Sequence, residues 1–235
     1  MMQLTGEQIT RISNLPAAEA IAEVCALFPG KVVFSSSLGQ EDQVLTDIIF
    51  RNSLSVKVFT IDTGRLFPEV YDLIDRTEAR YKNRIDVFFP SAPAVEQFVA
   101  TNGINSFYES VDNRKACCHV RKVEPLGRAL AGASVWVTGL RAGQSDNRKN
   151  MPVLEWDEAK QLYKFNPLIN WSLDEVLGYI NRFNVPYNPL HDKGFISIGC
   201  APCTRAIEPG EDARAGRWWW ETSHKECGLH AATVK

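Results

Sequence analysis

Two adjacent cysteines stand in a strongly cationic stretch of the chain. Cys117 and Cys118 lie in RKACCHVRK, residues 114–122, where four Lys and Arg residues surround two thiols. A second pair, Cys200 and Cys203, has the CxxC spacing in a turn that contains Gly and Pro. Two intervening residues allow both sulfurs of a CxxC to reach one metal centre. The two pairs together supply four thiolates, the number that a zinc ion or a 4Fe–4S cluster takes.

The adjacent pair favours iron–sulfur over zinc. Zinc sites usually combine two spaced pairs of ligands, and adjacent ligands are uncommon in them. A cluster bound by four thiolates carries net negative charge, which explains the cations around Cys117 and Cys118. A thioredoxin-type redox motif is an alternative for the CxxC, although it does not open a helix in a βαβ unit. Core packing is a further alternative for the adjacent pair, and it is the preferred interpretation for Cys25.

A further thiol has the surroundings of a nucleophile. Cys227 lies in HKECGLH, residues 224–230, beside His and Lys. Positive neighbours lower the pKa of a thiol, and the thiolate is the reactive form. Just upstream, Arg214 and Arg217 precede three tryptophans, residues 218–220. Arginines beside aromatic rings can hold an anion or a nucleic acid, and a net charge of −2 over 235 residues argues against nucleic acid.

The composition is that of an ordinary globular chain, with 45% hydrophobic and 23% charged residues. The N-terminus lacks the pattern of a secretory signal, and no apolar run is long enough for a transmembrane helix. We therefore expect a cytoplasmic protein without a membrane partner. In that reducing compartment, cysteines serve as metal ligands or catalytic groups more often than as disulfides.

Strands and helices alternate along the first 185 residues. The predicted strands are 31–35, 56–61, 85–89 and 134–139, and the predicted helices are 6–14, 17–24, 41–50, 68–81, 94–100, 116–130 and one that starts after Ser172. Residues 153–156 and 162–165 predict a small hairpin. This alternation predicts an α/β fold with a doubly wound, mainly parallel sheet over residues 1–185. Residues 186–235 show little periodicity and are expected to form an irregular C-terminal extension.

Three polar loops follow predicted strands, at the edge where open α/β sheets bind ligands. The first is SSSLGQED, residues 35–42, whose small residues would let backbone N–H groups face an anion at a helix N-terminus. The second is Asp62–Arg65, and the third is the loop over residues 139–145. Taken alone, Asp62–Arg65 is more typical of a solvated turn, whereas each of the other two loops fits a polar connection as well as a ligand site. None has a generic nucleotide-binding motif. Their convergence on one edge favours a nucleotide-like ligand.

The assembled residues resemble the assimilatory sulfonucleotide reductases, the adenylyl-sulfate and phosphoadenylyl-sulfate reductase family. The resemblance runs from about Val33 to His230. It is carried by the following stretches: residues 35–42, IDTGRL from Ile61, CCHVRKVEPL from Cys117, WVTGLRAGQS from Trp136, VPYNPLHDKG from Val185, SIGCAPCTR from Ser197, RAGRWWWE from Arg214 and KECGLH from Lys225.

The resemblance implies a fold, a cofactor and a set of site residues. The fold would be a PP-loop domain related to ATP pyrophosphatases, of the adenine nucleotide alpha hydrolase type. The implied nucleophile is Cys227, and the implied ligands of a 4Fe–4S cluster are Cys117, Cys118, Cys200 and Cys203. The predicted substrate-binding residues are Ser35, Ser36, Ser37, Gly39, Asp62, Gly64, Arg65, Lys122, Arg141, Arg214, Arg217 and His230.

The resemblance also implies a reaction and partners. The family branch with this cysteine quartet uses adenosine 5′-phosphosulfate, forms an S-sulfocysteine and releases sulfite with reduced thioredoxin. We expect the same here, in a homo-oligomer that binds no nucleic acid. Three alternatives stay open: the same chemistry on the 3′-phosphorylated substrate, a PP-loop enzyme of the ATP-pyrophosphatase type, and a zinc-stabilised binding module without catalysis. The second would need an SGGxDS-like loop, and the third leaves Cys227 unexplained.

Overall fold

The computed structural model of the chain describes residues 3–221. Its strands are β1 (Val32–Ser35), β2 (Lys57–Ile61), β3 (Asp86–Phe88), β4 (Val135–Val137), β5 (Leu154–Asp157) and β6 (Leu162–Phe165). Its helices are α1 (Gly6–Ser13), α2 (Ala17–Leu27), α3 (Gln40–Arg51), α4 (Pro68–Tyr81), α5 (Ala92–Asn102), α6 (Val111–Cys118), α7 (Glu124–Leu130) and α8 (Leu173–Phe183). Among these described residues, no helix is long and apolar enough to cross a membrane.

The strands form one six-stranded sheet in the order β3-β2-β1-β4-β6-β5. Strand β1 pairs in parallel with β2 and with β4, and β4 pairs in parallel with β6. The chain therefore moves outward from β1 in both directions, which is the doubly wound arrangement with its ligand-binding crevice between β1 and β4. The α/β fold class predicted from the sequence is confirmed.

The central strands are apolar without alternation because both of their faces are covered. All three residues of β4, Val-Trp-Val, are buried, as are the first three of β1. The predicted hairpin exists as the antiparallel pair β5–β6. This hairpin is part of the main sheet, because β6 also pairs with β4. Helix α8 begins with the predicted capping box of Ser172 and Glu175.

One predicted helix, residues 116–130, starts earlier and is interrupted. Helix α6 begins after Ser110, whose hydroxyl accepts a hydrogen bond from the Asn113 N–H at 3.1 Å. Its sequence, VDNRKACC, is too polar to show an apolar face, which is why periodicity missed its first turn. A π-helical turn, His119–Val123, then separates α6 from α7. Such turns are frequent at functional sites.

The chain divides into two compact units, each assembled from discontinuous segments. The first unit comprises residues 1–60, 70–86 and 132–188, and the second comprises residues 61–69, 87–131 and 189–235, so far as these are described. The division predicted from sequence composition, at residue 185, stays a prediction because it follows chain order whereas these units do not.

A buried carboxylate ties three helices of the first unit together. Asp47 on α3 has a side chain that is 0% exposed and forms an ion pair with Arg51 at 2.7 Å. It also accepts hydrogen bonds from the hydroxyl of Tyr81 on α4 at 2.5 Å and from that of Tyr179 on α8 at 2.7 Å. A buried charge needs such partners, because an unpaired one would be strongly destabilising. Asp47 therefore fixes the position of α3, the helix that follows the Ser-rich loop.

We expect Asp47→Ala to lower the free energy of unfolding by about 3–5 kcal/mol, the usual cost of removing one partner from a buried ionic cluster. Chemical denaturation followed by circular dichroism measures this change. The control is Asp146→Ala, which removes an exposed carboxylate paired only with the exposed Lys149 and should leave unfolding unchanged. Equal effects of the two substitutions would contradict the structural role of Asp47.

Candidate active site and four-cysteine centre

The four cysteines predicted as metal ligands line one cavity in the second unit. The cavity measures about 370 Å³, a volume that includes space open to solvent at its mouth. Cys118, Cys200 and Cys203 are buried and Cys117 is half-buried. Within residues 3–221, no three His, Cys, Asp or Glu side chains surround a single metal-ion position. Cys117 and Cys118 thus line the same cavity as Cys200 and Cys203, and their role as metal ligands stays a prediction.

Short backbone pairing holds the CxxC segment beside the arginine–tryptophan segment. Thr204 and Arg217 form an isolated antiparallel bridge, and the Trp218 N–H donates to the Cys203 carbonyl at 3.2 Å. A Cβ on Gly216 would lie 2.3 Å from the Arg205 carbonyl oxygen, so only glycine permits this approach. The pairing places the guanidinium of Arg217 at the cavity that contains Cys200 and Cys203.

The cavity is strongly cationic. Five cations line it, and no carboxylate does among the described residues: Arg65, Arg114, Arg121, Lys122 and Arg217. Lys115, which belongs to the same cationic stretch of sequence, is exposed and does not line the cavity. This charge suits a group that is itself negative, such as thiolates around a metal cluster or an anionic substrate.

The thiols that line the cavity differ in pKa. Burial would raise the pKa of Cys200, but Lys122, a hydrogen bond from Thr63, Arg217 and Arg121 together lower it below its ordinary value. Burial raises the pKa of Cys203 to about 12, and the nearby Cys200 adds to the effect. Burial also raises the pKa of Cys117, against the influence of Arg121. Metal coordination is the ordinary way to keep such buried thiols ionised.

The loop after β2 belongs to this centre. The Thr63 hydroxyl lies 3.2 Å from the Cys200 sulfur, and Arg121 donates to the Thr63 carbonyl at 2.7 Å. Asp62 accepts a hydrogen bond from the Gly64 N–H at 2.7 Å and thereby shapes the turn. Arg65 lines the cavity, with its guanidinium 5.1 Å from the centre of the Phe107 ring.

Sequence reasoning did not select Thr63 or Arg121 as site residues. Thr63 stood inside the DTGR stretch, and Arg121 stood beside Lys122 in the cationic stretch. Both were therefore visible as neighbours of predicted residues, although nothing in the sequence indicated that they contact each other.

In the first unit, the Ser-rich loop directs its donors inward. The backbone N–H and the hydroxyl of Ser37 each donate to Asp42 at 2.6 Å. The Ser36 N–H donates to the Phe59 carbonyl, and the Leu38 N–H donates to the Ser36 hydroxyl. The Ser35 hydroxyl accepts from the indole of Trp136 at 2.7 Å. Asp42, in the first turn of α3, thus occupies both donors of Ser37 from within the chain.

The loop after β4 meets this same loop within the first unit. A Cβ on Gly139 would lie 2.0 Å from a carboxylate oxygen of Asp42, so the residue at 139 must be glycine for the two loops to touch. Arg141 is buried and forms an ion pair with Glu41 at 2.7 Å. A ligand-binding role for Ser35, Ser36, Ser37, Gly39 and Arg141 stays a prediction.

Three predicted residues stand outside the cavity lining. Arg214 is half-buried in the second unit and is not among the lining residues; its N–H donates to Asp212 at 2.8 Å. Cys227 and His230, the predicted nucleophile and its neighbour, lie outside the described residues.

The fold and the site together define an α/β protein in which a doubly wound sheet is combined with a thiol-rich, cationic centre. The family model of the phosphoadenosine phosphosulfate reductase domain matches residues 31–206, and the chain belongs to this family. The resemblance proposed from the sequence is therefore confirmed.

Individual known proteins agree with this assignment. The chain is 54% identical over 215 residues to an adenosine 5′-phosphosulfate reductase of Allochromatium vinosum. The aligned region covers 91% of this chain and 84% of that protein. The crystal structure of phosphoadenylyl-sulfate reductase from Candida auris, in complex with phosphate, matches at TM-score 0.72 and 30% identity over 88% of this chain and 99% of that one. The FMN adenylyltransferase of Candida glabrata, at TM-score 0.55 and 17% identity over 97% of this chain and 80% of that one, shares the fold.

Asp42 makes stability depend on pH. Burial raises its pKa to about 6, although the hydrogen bonds from Ser37 act in the opposite direction. The folded chain then holds this proton more tightly than the unfolded chain does. Its contribution to stability is therefore complete below about pH 4 and is lost as the pH rises through about 6.

We expect the melting temperature of the wild type to fall between about pH 4 and pH 6 relative to that of Asp42→Asn, which has no charge to bury. The difference between the folded-state pKa of Asp42 and its ordinary pKa near 4 corresponds to about 3 kcal/mol of stability. Calorimetry across this range measures it, with Asp174→Asn, an exposed position on α8, as the control. Parallel pH profiles for Asp42→Asn and the wild type would show that Asp42 does not titrate in this range.

Proposed function

We propose that this chain reduces adenosine 5′-phosphosulfate to sulfite and AMP, with reduced thioredoxin as the electron donor. The chain is an oxidoreductase of its family, and relatives at about 50% identity over most of its length are named adenosine 5′-phosphosulfate reductases. The structural observation that carries the proposal is the meeting of four cysteines and five cations in one cavity. Such a cavity suits both an anionic cofactor and an anionic substrate.

The donor set fits a 4Fe–4S cluster. Four thiols of Cys117, Cys118, Cys200 and Cys203 are available, and cysteine thiolates are the ordinary ligands of such clusters. A single zinc ion also takes four thiolates, but its sites usually combine two spaced pairs, whereas Cys117 and Cys118 are adjacent. When bound, the cluster would supply a fixed negative charge that orients the neighbouring cations. The Thr63 hydroxyl, 3.2 Å from the Cys200 sulfur, would hold that ligand in place.

The proposed reaction begins with the thiolate of Cys227. It attacks the sulfur of the sulfate group, so that a sulfur–sulfur bond forms while the bond between sulfur and the bridging oxygen breaks and AMP leaves. Lys122 and Arg217 line the cavity, and with Arg214 and His230 we assign them to the phosphosulfate oxygens, whose charge they would stabilise. The product on the enzyme is an S-sulfocysteine.

Thioredoxin completes the cycle. One thiolate of reduced thioredoxin attacks the Cys227 sulfur, and sulfite leaves with the electron pair of the broken bond. The second thioredoxin thiol then resolves the mixed disulfide and releases the Cys227 thiolate. The electrons that reduce the sulfate therefore come from the thioredoxin dithiol.

Substrate choice separates this proposal from its nearest alternative. The relative at 54% identity carries the name of the 5′-phosphosulfate enzyme, whereas the Candida auris enzyme at 30% identity acts on the 3′-phosphorylated form according to its name. The higher identity favours adenosine 5′-phosphosulfate. Sulfite release from each nucleotide, with thioredoxin present, decides between them. An ATP-pyrophosphatase activity is disfavoured because the Ser36, Ser37 and Leu38 N–H groups already have internal acceptors.

We also propose a cytoplasmic location, because cysteine ligands and reduced thioredoxin both require a compartment that keeps thiols reduced. A homo-oligomer is proposed from the family resemblance alone, and sedimentation equilibrium would test it.

We expect Cys203→Ala to lose most of its iron, acid-labile sulfide and visible absorption, because a cluster needs each of its four thiolates. Elemental analysis and an anaerobic visible spectrum measure the loss. Cys25→Ala is the matched control, since Cys25 lies on α2 and is not among the residues that line the cavity, and this variant should keep its iron. A colourless wild type that contains one equivalent of zinc would replace the cluster with a zinc site.

We expect Cys227→Ser to release no sulfite while its iron content and AMP affinity stay at wild-type levels, because the substitution removes only the nucleophile. Sulfite is measured by a chromogenic assay, and AMP binding by calorimetry. Turnover retained in this variant would exclude Cys227 as the nucleophile and require another thiol.

A further inference from the structure

A buried ion pair in the second unit joins Arg114, one of the cavity cations, to a residue that the proposed reaction does not use. Arg114 donates to Glu221 twice, from Nε to Oε1 at 2.9 Å and from Nη2 to Oε2 at 2.8 Å. The two side chains are only 1% and 3% exposed. A bidentate pair of this kind fixes orientation as well as distance. It joins two parts of the chain that are 107 positions apart.

One end of the pair is attached to the four-cysteine centre. Arg114 lies on α6, four residues before Cys118, and residues four apart share a face of a helix. Both side chains are buried, and both line the cavity. A change in the position of Cys118 on its metal centre would therefore move the guanidinium of Arg114.

The segment between the centre and Glu221 is held tightly. The ring centre of Trp218 lies 4.6 Å from the guanidinium carbon of Arg114 and 4.7 Å from that of Arg217. The backbone of Trp218 has φ of 42°, in the left-handed region that a large side chain normally avoids. Such a conformation persists only where the surroundings enforce it. Residues 217–221 thus have one defined path past the cavity.

The other end of the pair controls where the following residues start. Cys227 comes six residues after Glu221, and six extended residues span at most about 20 Å. The position of Glu221 therefore limits the region that the Cys227 thiol can reach. Confining a nucleophile near its target raises the rate of attack without any change in its chemistry.

Stability alone does not explain the pair. The desolvation of two buried charges largely offsets their attraction, and apolar side chains of similar size often stabilise a fold as well. What an apolar pair does not supply is the directional bidentate contact. The pair is therefore better explained by a need for orientation.

We propose that Arg114 and Glu221 are positioning residues, which set the start of the segment that carries Cys227 and couple it through α6 to the occupied four-cysteine centre. The inference rests on the proposed function, because it takes Cys227 as the nucleophile.

The first test compares Glu221→Gln, Arg114→Met and the double variant Arg114→Met/Glu221→Met. The readouts are iron content, melting temperature and the single-turnover rate of S-sulfonation of Cys227, followed by intact mass with adenosine 5′-phosphosulfate and no thioredoxin. We expect Glu221→Gln, which leaves every cavity-lining cation in place, to keep its iron and AMP affinity but to lose about tenfold or more in rate. Arg114→Met should lose at least as much rate, and its iron is measured beside that rate because Arg114 lines the cavity. The double variant should recover the melting temperature but not the rate.

The matched control is Glu211→Gln. Glu211 is a partly exposed glutamate of the same C-terminal extension and pairs with Arg205 at 2.8 Å. Because ion pairs near the surface contribute little, this variant should keep the wild-type rate. It separates a specific effect of Glu221 from a general effect of lost negative charge in the extension.

The second test does not depend on turnover. Trypsin is expected to cleave after Lys225, and the release of residues 226–235 is followed by mass. In the wild type, removal of iron by a chelator should accelerate this cleavage. In Glu221→Gln, cleavage should already be fast with iron present, and chelation should add nothing further.

Several outcomes would overturn the inference. In the first test they are recovery of both rate and melting temperature in the double variant, a loss of iron in proportion to the loss of rate, and failure of every variant to fold. In the second test it is a cleavage rate that does not change when iron is removed. The first three would make the pair merely structural. If the wild type forms no S-sulfocysteine, the proposed function fails, and the cleavage test still judges the coupling by itself.

Discussion

Four thiols and five cations line one cavity, and the cations suit the negative charge that thiolates on a metal centre would carry. Isolated buried cations would be costly, and so would isolated buried thiolates. The local structure of the second unit serves this balance. The π-helical turn that follows α6 carries Arg121 and Lys122 next to two of the cysteines, and the bridge between Thr204 and Arg217 brings a further cation to the CxxC.

Proteins that share this fold do not have to share its chemistry. The chain has the same architecture as an FMN adenylyltransferase at 17% identity, which establishes the fold alone. Function depends instead on local groups. In this chain Asp42 occupies both donors of Ser37 in the Ser-rich loop, and the Ser36 and Leu38 N–H groups have other internal acceptors.

Much of the fold was predictable because the pattern of apolar residues carries it. The central strands are continuous apolar runs, and Ser172 with Glu175 marks the start of α8. The first turn of α6 was not predictable, because its polar sequence has no apolar face. The parallel pairing of β6 with β4 was also not predictable, because the hairpin pattern of β5 and β6 does not indicate which strand pairs with the free edge of β6.

The sequence by itself determined the candidate residues for the chemistry: two cysteine pairs, the cations beside them and the polar loops at strand ends. These are local patterns, so spacing and residue type suffice to find them. Only the tertiary structure decided that Arg121 holds the loop at Thr63, that Asp42 caps the Ser-rich loop and that Arg114 meets Glu221. Each of these contacts depends on burial or on the meeting of distant segments, and the energy of a charge is set by those surroundings rather than by its neighbours in sequence.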